Sequence, residues 1–156
     1  MKHYSTLVKY SLLASLALTS CHETIDRQET QAGAMLGEAR SLLANSQFSA
    51  ARDTILSLRK RHPQALSVRR AAILTLDSVE LLEARDTLAR LDSVLEHERQ
   101  VLNSLSPMVN GITNDAFYEQ KRRVYQIEQH LDELCAKVKF YIRKIDIDSE
   151  NVEQPI

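Results

Sequence analysis

Beyond residue 20, the side chains with the widest chemical repertoire are Cys21, Cys135, His22, His62, His97 and His130. A helix-borne metal site calls for His or Cys ligands one turn apart, at positions i and i+4. None of these histidines stands at that spacing from another His or Cys, and neither His-Glu-x-x-His nor Cys-x-x-Cys occurs. Glu96-His97-Glu98 gathers ligand types, but consecutive residues on a helix point in different directions, so the run reads as a solvated face. No Gly-rich phosphate loop is present, and no nucleophile motif organises a Ser with a His and an acid. The expectation is a chain without catalysis, metal or cofactor. The residue set up for chemistry is Cys21. It follows the apolar stretch Ser11-Leu12-Leu13-Ala14-Ser15-Leu16-Ala17-Leu18 and the small residues Thr19 and Ser20.

Residues 1–20 have the layout of an export signal: a basic start from Lys2 to Lys9, then the apolar stretch. That stretch is much shorter than the roughly 20 residues a membrane-spanning helix needs. Leu18-Thr19-Ser20-Cys21 resembles the lipobox of bacterial lipoproteins, an aliphatic residue and two small ones before cysteine. The resemblance implies a mature chain that begins at Cys21, with a diacylglyceryl group on the thiol and an acyl chain on the freed amine. Several chains hold a membrane better than one, each buried methylene contributing about 0.8 kcal/mol. In the best-known lipoprotein system, His22 rather than Asp after the cysteine implies the outer membrane.

Removing residues 1–20 removes Lys2 and Lys9 and leaves 18 basic against 21 acidic residues, a net charge near −3. Bulk charge therefore gives no reason to expect nucleic-acid binding, and the Arg and Lys residues are interleaved with acids. Three Gly, three Pro and no Trp, with abundant Leu, Ala, Arg and Glu, point to an all-α fold of few, long helices. With Cys21 acylated, Cys135 has no partner for an internal disulfide. It reads either as packed in a helix seam, the favoured reading because free cysteine is usually buried, or as an intermolecular link.

Residues 21–31 read as the lipidated cysteine and a polar tether, and residues 32–145 as one helical domain. Met35, Leu36, Ala39, Leu42 and Leu43 form the apolar face of a first helix, which Asn45-Ser46 ends before capping the next. Gly33 and Gly37 suit close helix packing or fraying. Phe48, Ala51, Ile55 and Leu58 form the face of a second helix, closed by Pro63. The positions Met35, Ala39, Leu42, Phe48, Ala51, Ile55 and Pro63 resemble one tetratricopeptide repeat over residues 32–63. Ala51-Arg52-Asp53-Thr54-Ile55 is echoed 33 residues on by Ala84-Arg85-Asp86-Thr87-Leu88, but no turn or closing proline completes a second unit.

Residues 64–145 read instead as a long antiparallel helical hairpin. Pro63 suits the first turn of a helix that meets no breaker before Pro107. Leu74, Leu81, Leu88, Leu95 and Leu102 fill one heptad position, and Asp77, Ala84, Leu91, Glu98 and Leu105 the other. A second stripe, Val68, Ala72, Leu76, Val79 and Leu82, implies a second packing partner for the first half. Residues 106–113 form the reversal, around Asn110-Gly111. A last helix to Ile145 carries Phe117, Val124, Leu131, Val138 and Ile145 with Gln120, Ile127, Leu134 and Tyr141, a matching seam for a coiled-coil return. Arg99 then faces Glu128 or Lys121, depending on register. Residues 146–156 are an acidic tail expected to be disordered.

Tyr118 and Tyr125 lie seven residues apart and off that seam. They suit packing on a neighbouring helix or anchoring a partner, as exposed aromatics often do. The expectation is a membrane-anchored lipoprotein that serves as a non-catalytic helical scaffold for another envelope protein. Self-association into a homo-oligomer through the leucine seam is the alternative, and an enzyme the remoter one.

Overall fold

The computed structural model describes residues 25–110 and 112–153, so the signal, Cys21 and the start of the tether lie outside the described residues. The fold is all-α, as its composition implies. Helix α1 covers residues 25–44, α2 Phe48–Arg61, α3 Leu66–Ser104 and α4 Asp115–Glu153. Between α3 and α4, strands β1 (Met108–Val109) and β2 (Ile112–Thr113) pair antiparallel, Met108 opposite Thr113 and Val109 opposite Ile112. The chain divides into two compact units, one ending at Leu76 and the other beginning at Asp77.

In the first unit Leu36 and Ala39 of the expected α1 face and Ala51, Ile55 and Leu58 of the α2 face are buried, together with Ala32, while Met35, Leu42, Leu43 and Phe48 are half-buried. The three residues between these helices close α1. Ser46 takes φ 57°, its N–H donates to the Leu43 carbonyl, and the Gln47 N–H donates to the Leu42 carbonyl. This is a Schellman ending, with serine where glycine is usual. Asn45-Ser46 therefore terminates α1 and does not cap α2, whose cap position, Gln47, makes no side-chain cap bond. Gly33 and Gly37 do not serve close packing either. A methyl group at each would meet nothing within 4 Å.

Three boundaries differ from the sequence reading. Residues 25–31, expected as tether, are helical, and α3 starts at Leu66, so Pro63 lies in the turn before it. The two differences share a cause. The cap position of α3 is Ala65, which is fully buried and has no side-chain acceptor. Glu29 of α1 supplies one instead: its carboxylate accepts from the N–H groups of Ser67 and Val68 and from Ser67 Oγ, at 3.1, 3.3 and 2.8 Å. These amides are the donors that an N-cap side chain would satisfy. Gln28 Oε1 likewise accepts from the Gln64 N–H at 3.3 Å. Finally, α4 runs eight residues past Ile145, so residues 146–153 are helical and not disordered. Lys144 and Asp148, one turn apart and 2.9 Å from each other, brace that extension.

In the second unit α3 and α4 are antiparallel, because cross-links rise in number along one helix as they fall along the other. Arg99 meets Glu128 at 2.7 Å and Lys137 meets Glu80 at 2.8 Å, while Lys144 pairs with Asp77. Arg99 thus takes its favourable partner. Ala84 and Leu95 on α3 and Val124 and Leu134 on α4 are buried, and the other apolar residues of both heptad series in this unit are half-buried. Asn114 holds the cap position of α4 and donates its side-chain amide to the Ser106 carbonyl at 2.7 Å, closing the loop.

Two changes test these local readings. Gly37→Ala should raise unfolding stability by about 0.5–1 kcal/mol, since it removes backbone entropy and meets no obstacle. Glu29→Ala should cost about 0.5–1 kcal/mol at neutral pH through the lost cap. Partial burial pushes the Glu29 carboxyl up, but its bonds from Ser67 and Val68 together hold it below the usual glutamate value. A depressed carboxyl stabilises fully above its unfolded pKa, and the contribution is lost as pH falls through the folded pKa. Denaturant unfolding of wild type and Glu29→Ala should therefore differ at pH 7 and converge in acid, once the Glu29 carboxyl is protonated.

Candidate functional site

Asp77, Glu98 and Gln120 place polar side chains in the seam of the second unit, and each is given a partner there. Gln120 Nε2 donates to both the backbone carbonyl and the carboxylate of Glu98. Asp77, only 5 % exposed, pairs with Lys144. Burial pushes the Lys144 ammonium down, but hydrogen bonds and attraction from Asp77 and Asp148 outweigh it and hold its pKa above the usual lysine value. A shallow cleft of about 240 Å³ lies along this seam, lined by Leu91, Glu98, Arg123, Gln126, Ile127 and His130. Its titratable groups do not form a relay. Glu98 is engaged by Gln120, and His130 Nδ1 faces Glu133 at 3.4 Å. No cluster of three or more His, Cys, Asp or Glu suited to a metal occurs among the described residues.

The more conspicuous feature lies on the opposite side of α4. Tyr118, Tyr125, Phe140 and Ile147 are 45 %, 60 %, 57 % and 59 % exposed. Their spacings place them within about a third of the helix circumference, along about 43 Å of its length. The Tyr118 ring stands edge-on to Phe117, centroids 5.2 Å apart, and Phe140 packs edge-on against Tyr141 at 5.0 Å. The seam residues Phe117 and Tyr141 thus steady two outward rings. Near the end of α4, Phe140, Arg143, Lys144, Ile147 and Asp148 line a mostly apolar groove of about 410 Å³. The sequence singled out Tyr118 and Tyr125. It also contained the signal for Phe140 and Ile147, again seven apart, but their lone positions in a charged segment hid the continuation of the stripe.

The reversal carries a second apolar surface. Met108, Val109 and Ile112 of the β-hairpin are all exposed, and Asn110 takes φ 52° at the two-residue loop Asn110-Gly111. Asn-Gly suits a tight hairpin turn, and the three exposed apolar side chains beside it form a small apolar surface. Cys135 is exposed, not packed in the seam as expected. It follows the buried Leu134 and falls just outside the heptad positions that face α3. Among the described residues, no helix is long and apolar enough to cross a membrane. Comparison of the chain with protein-family models, curated proteins and solved structures finds no match.

The Asp77–Lys144 pair yields a sharp test. Lys144→Met leaves a buried carboxylate without its cation and should cost about 1–3 kcal/mol in urea unfolding. Adding Asp77→Leu to that variant should recover most of the loss, because an apolar pair suits a heptad seam. A double variant as unstable as the single one would show that the pair does not act as a unit.

Proposed function

We propose that this chain is a lipoprotein held on the envelope membrane, at the outer membrane, by acyl chains on Cys21, and that it acts without catalysis as a helical scaffold for another envelope protein. In this reading residues 32–63 form a tetratricopeptide-like hairpin at the anchored base, and residues 64–145 an antiparallel coiled coil that serves as a stiff spacer. The observation that carries the docking role is the exposed stripe of Tyr118, Tyr125, Phe140 and Ile147 along α4. Aromatic side chains held by neighbouring rings lose little freedom on binding, and such residues dominate the energetics of protein interfaces. The apolar tip at Met108, Val109 and Ile112 offers a further contact at the far end of the same hairpin.

Self-association through the leucine seam is the weaker reading. Leu95 and Ala84 are already buried and their neighbours half-buried within one chain, so a second copy would have to displace α4. Light scattering of the purified chain distinguishes the two, since a concentration-independent monomer excludes the oligomer.

Crosslinking in intact cells followed by mass spectrometry tests the adaptor reading. Wild type should capture a defined envelope protein, and Cys21→Ala should lose it together with lipid labelling. Tyr118→Ala with Tyr125→Ala should weaken capture by about tenfold or more while leaving the anchor in place. Self-crosslinks alone, or capture indifferent to the tyrosines, would remove the stripe as the docking surface.

A further inference from the structure

The two units differ in sign of charge. Residues 25–76 carry eight Arg or Lys against four Asp or Glu, and residues 77–153 carry ten against sixteen. The positive excess is concentrated in one place. Arg59, Lys60, Arg61, Arg69 and Arg70 fall within twelve residues that contain no acid. The turn between α2 and α3 folds this run back on itself, so that Arg59, Arg69 and Arg70 line one concavity of about 270 Å³ with Leu66 and Ile73. Both aliphatic side chains are exposed, Leu66 by 67 %.

Helix stability explains only part of this arrangement. Arg59, Lys60 and Arg61 occupy the last turn of α2, where cations complement the helix dipole. Arg69 and Arg70 sit at the opposite, positive end of α3, where the dipole disfavours them. Arg69 donates through Nη1 to the Pro63 carbonyl at 2.7 Å, yet its Nε–H is buried without an acceptor among the described residues. No ion pair engages Arg59, Lys60, Arg61 or Arg70 among the described residues. Three guanidinium groups around two exposed aliphatic side chains match a phospholipid, phosphate oxygens against the forks and glycerol-acyl carbons against Leu66 and Ile73.

The position of the concavity agrees. Glu29 is bonded to Ser67 and Val68 beside it, and Cys21 lies eight residues before Glu29. Eight residues span at most about 28 Å, so a lipid on Cys21 keeps this surface within that distance of the bilayer. We infer that the basic concavity formed by Arg59, Arg69 and Arg70 docks the first unit onto an anionic phospholipid surface. The inference uses the anchored reading for its geometry, but the contact itself is independent of acylation. An acyl anchor reinforced by a basic patch is the two-signal arrangement that holds a protein stably to a membrane.

The test uses the full chain with Cys21→Ala, so that no acyl group contributes, and vesicles of phosphatidylcholine with or without about 30 % phosphatidylglycerol. Cosedimentation should favour the anionic vesicles, and the preference should vanish at about 0.5 M salt. Each basic contact is worth about fivefold, so R59Q/R69Q/R70Q should lower the preference by on the order of 100-fold. R85Q/R122Q/K139Q, which removes the same charge from the second unit, should leave it nearly intact. Circular dichroism confirms that both variants fold. Equal binding to both vesicle types, or equal loss in both variants, overturns the inference. Lipid labelling of Cys21 in cells is read separately. Absent label with intact vesicle preference refutes the anchor alone, and present label without preference refutes the docking surface alone.

Discussion

An unbroken helix of 39 residues is the constraint on which both units depend. In proteins most of a helix's stability comes from burying an apolar face against other elements and not from its backbone hydrogen bonds. In α3 that burial changes face along the helix. Ala72 and Thr75 are buried in the first unit, and Asp77, Val79, Ala84 and Leu95 in the second. The leucine series at seven-residue spacing and the stripe from Val68 to Leu82 are the sequence form of the two faces, although Leu82, at the end of the stripe, is exposed. Where they overlap, around Leu76 to Val79, little of the helix is left for solvent. By contrast, α4 carries one seam, so its opposite side is open, and the exposed aromatic residues fall there.

Both ends of α3 show how polar groups at such a helix are satisfied from a distance. At its start the cap position is Ala65, and the carboxylate comes from Glu29, 36 residues earlier. Farther along, Asp77 and Glu98 interrupt the apolar series and find Lys144 and Gln120 on α4. A leucine seam alone tolerates a shift by one heptad. A buried carboxylate does not, because the shifted partner would leave it unpaired at a cost of about 1–3 kcal/mol. The two acids that weaken the apolar pattern therefore select the register, and Arg99 opposite Glu128 agrees with that selection.

Periodicity made much of this legible before the structure. The helical class, the faces of α1 and α2, the positions of the seam residues and the reversal at Asn110-Gly111 all follow from spacing and breakers. Two segments differ from their sequence reading for one reason: a polar composition does not imply absence of structure. Gln28 and Glu29 look like tether, yet they bind the turn before α3 and its first amides. Asp146 and Asp148 look like a disordered tail, yet α4 passes through them with Lys144 bridging one turn. Cys135 was assigned by the general habit of its residue type, although its place beside Leu134, and not on the heptad, already put it outward. Single-residue tendencies fail where a partner far along the chain sets the outcome.

The same contrast bears on where function resides. In the seam cleft Glu98 is engaged by Gln120, and His130 Nδ1 faces Glu133. Two groups of exposed side chains stand on different units: the basic ones beside the α2–α3 turn, and aromatic and aliphatic ones on the outer side of α4. A basic surface favours a layer of negative charge and an apolar stripe favours a protein partner, so the two are chemically suited to different neighbours. The second unit, with sixteen acids against ten bases, is by its charge repelled from a negatively charged surface.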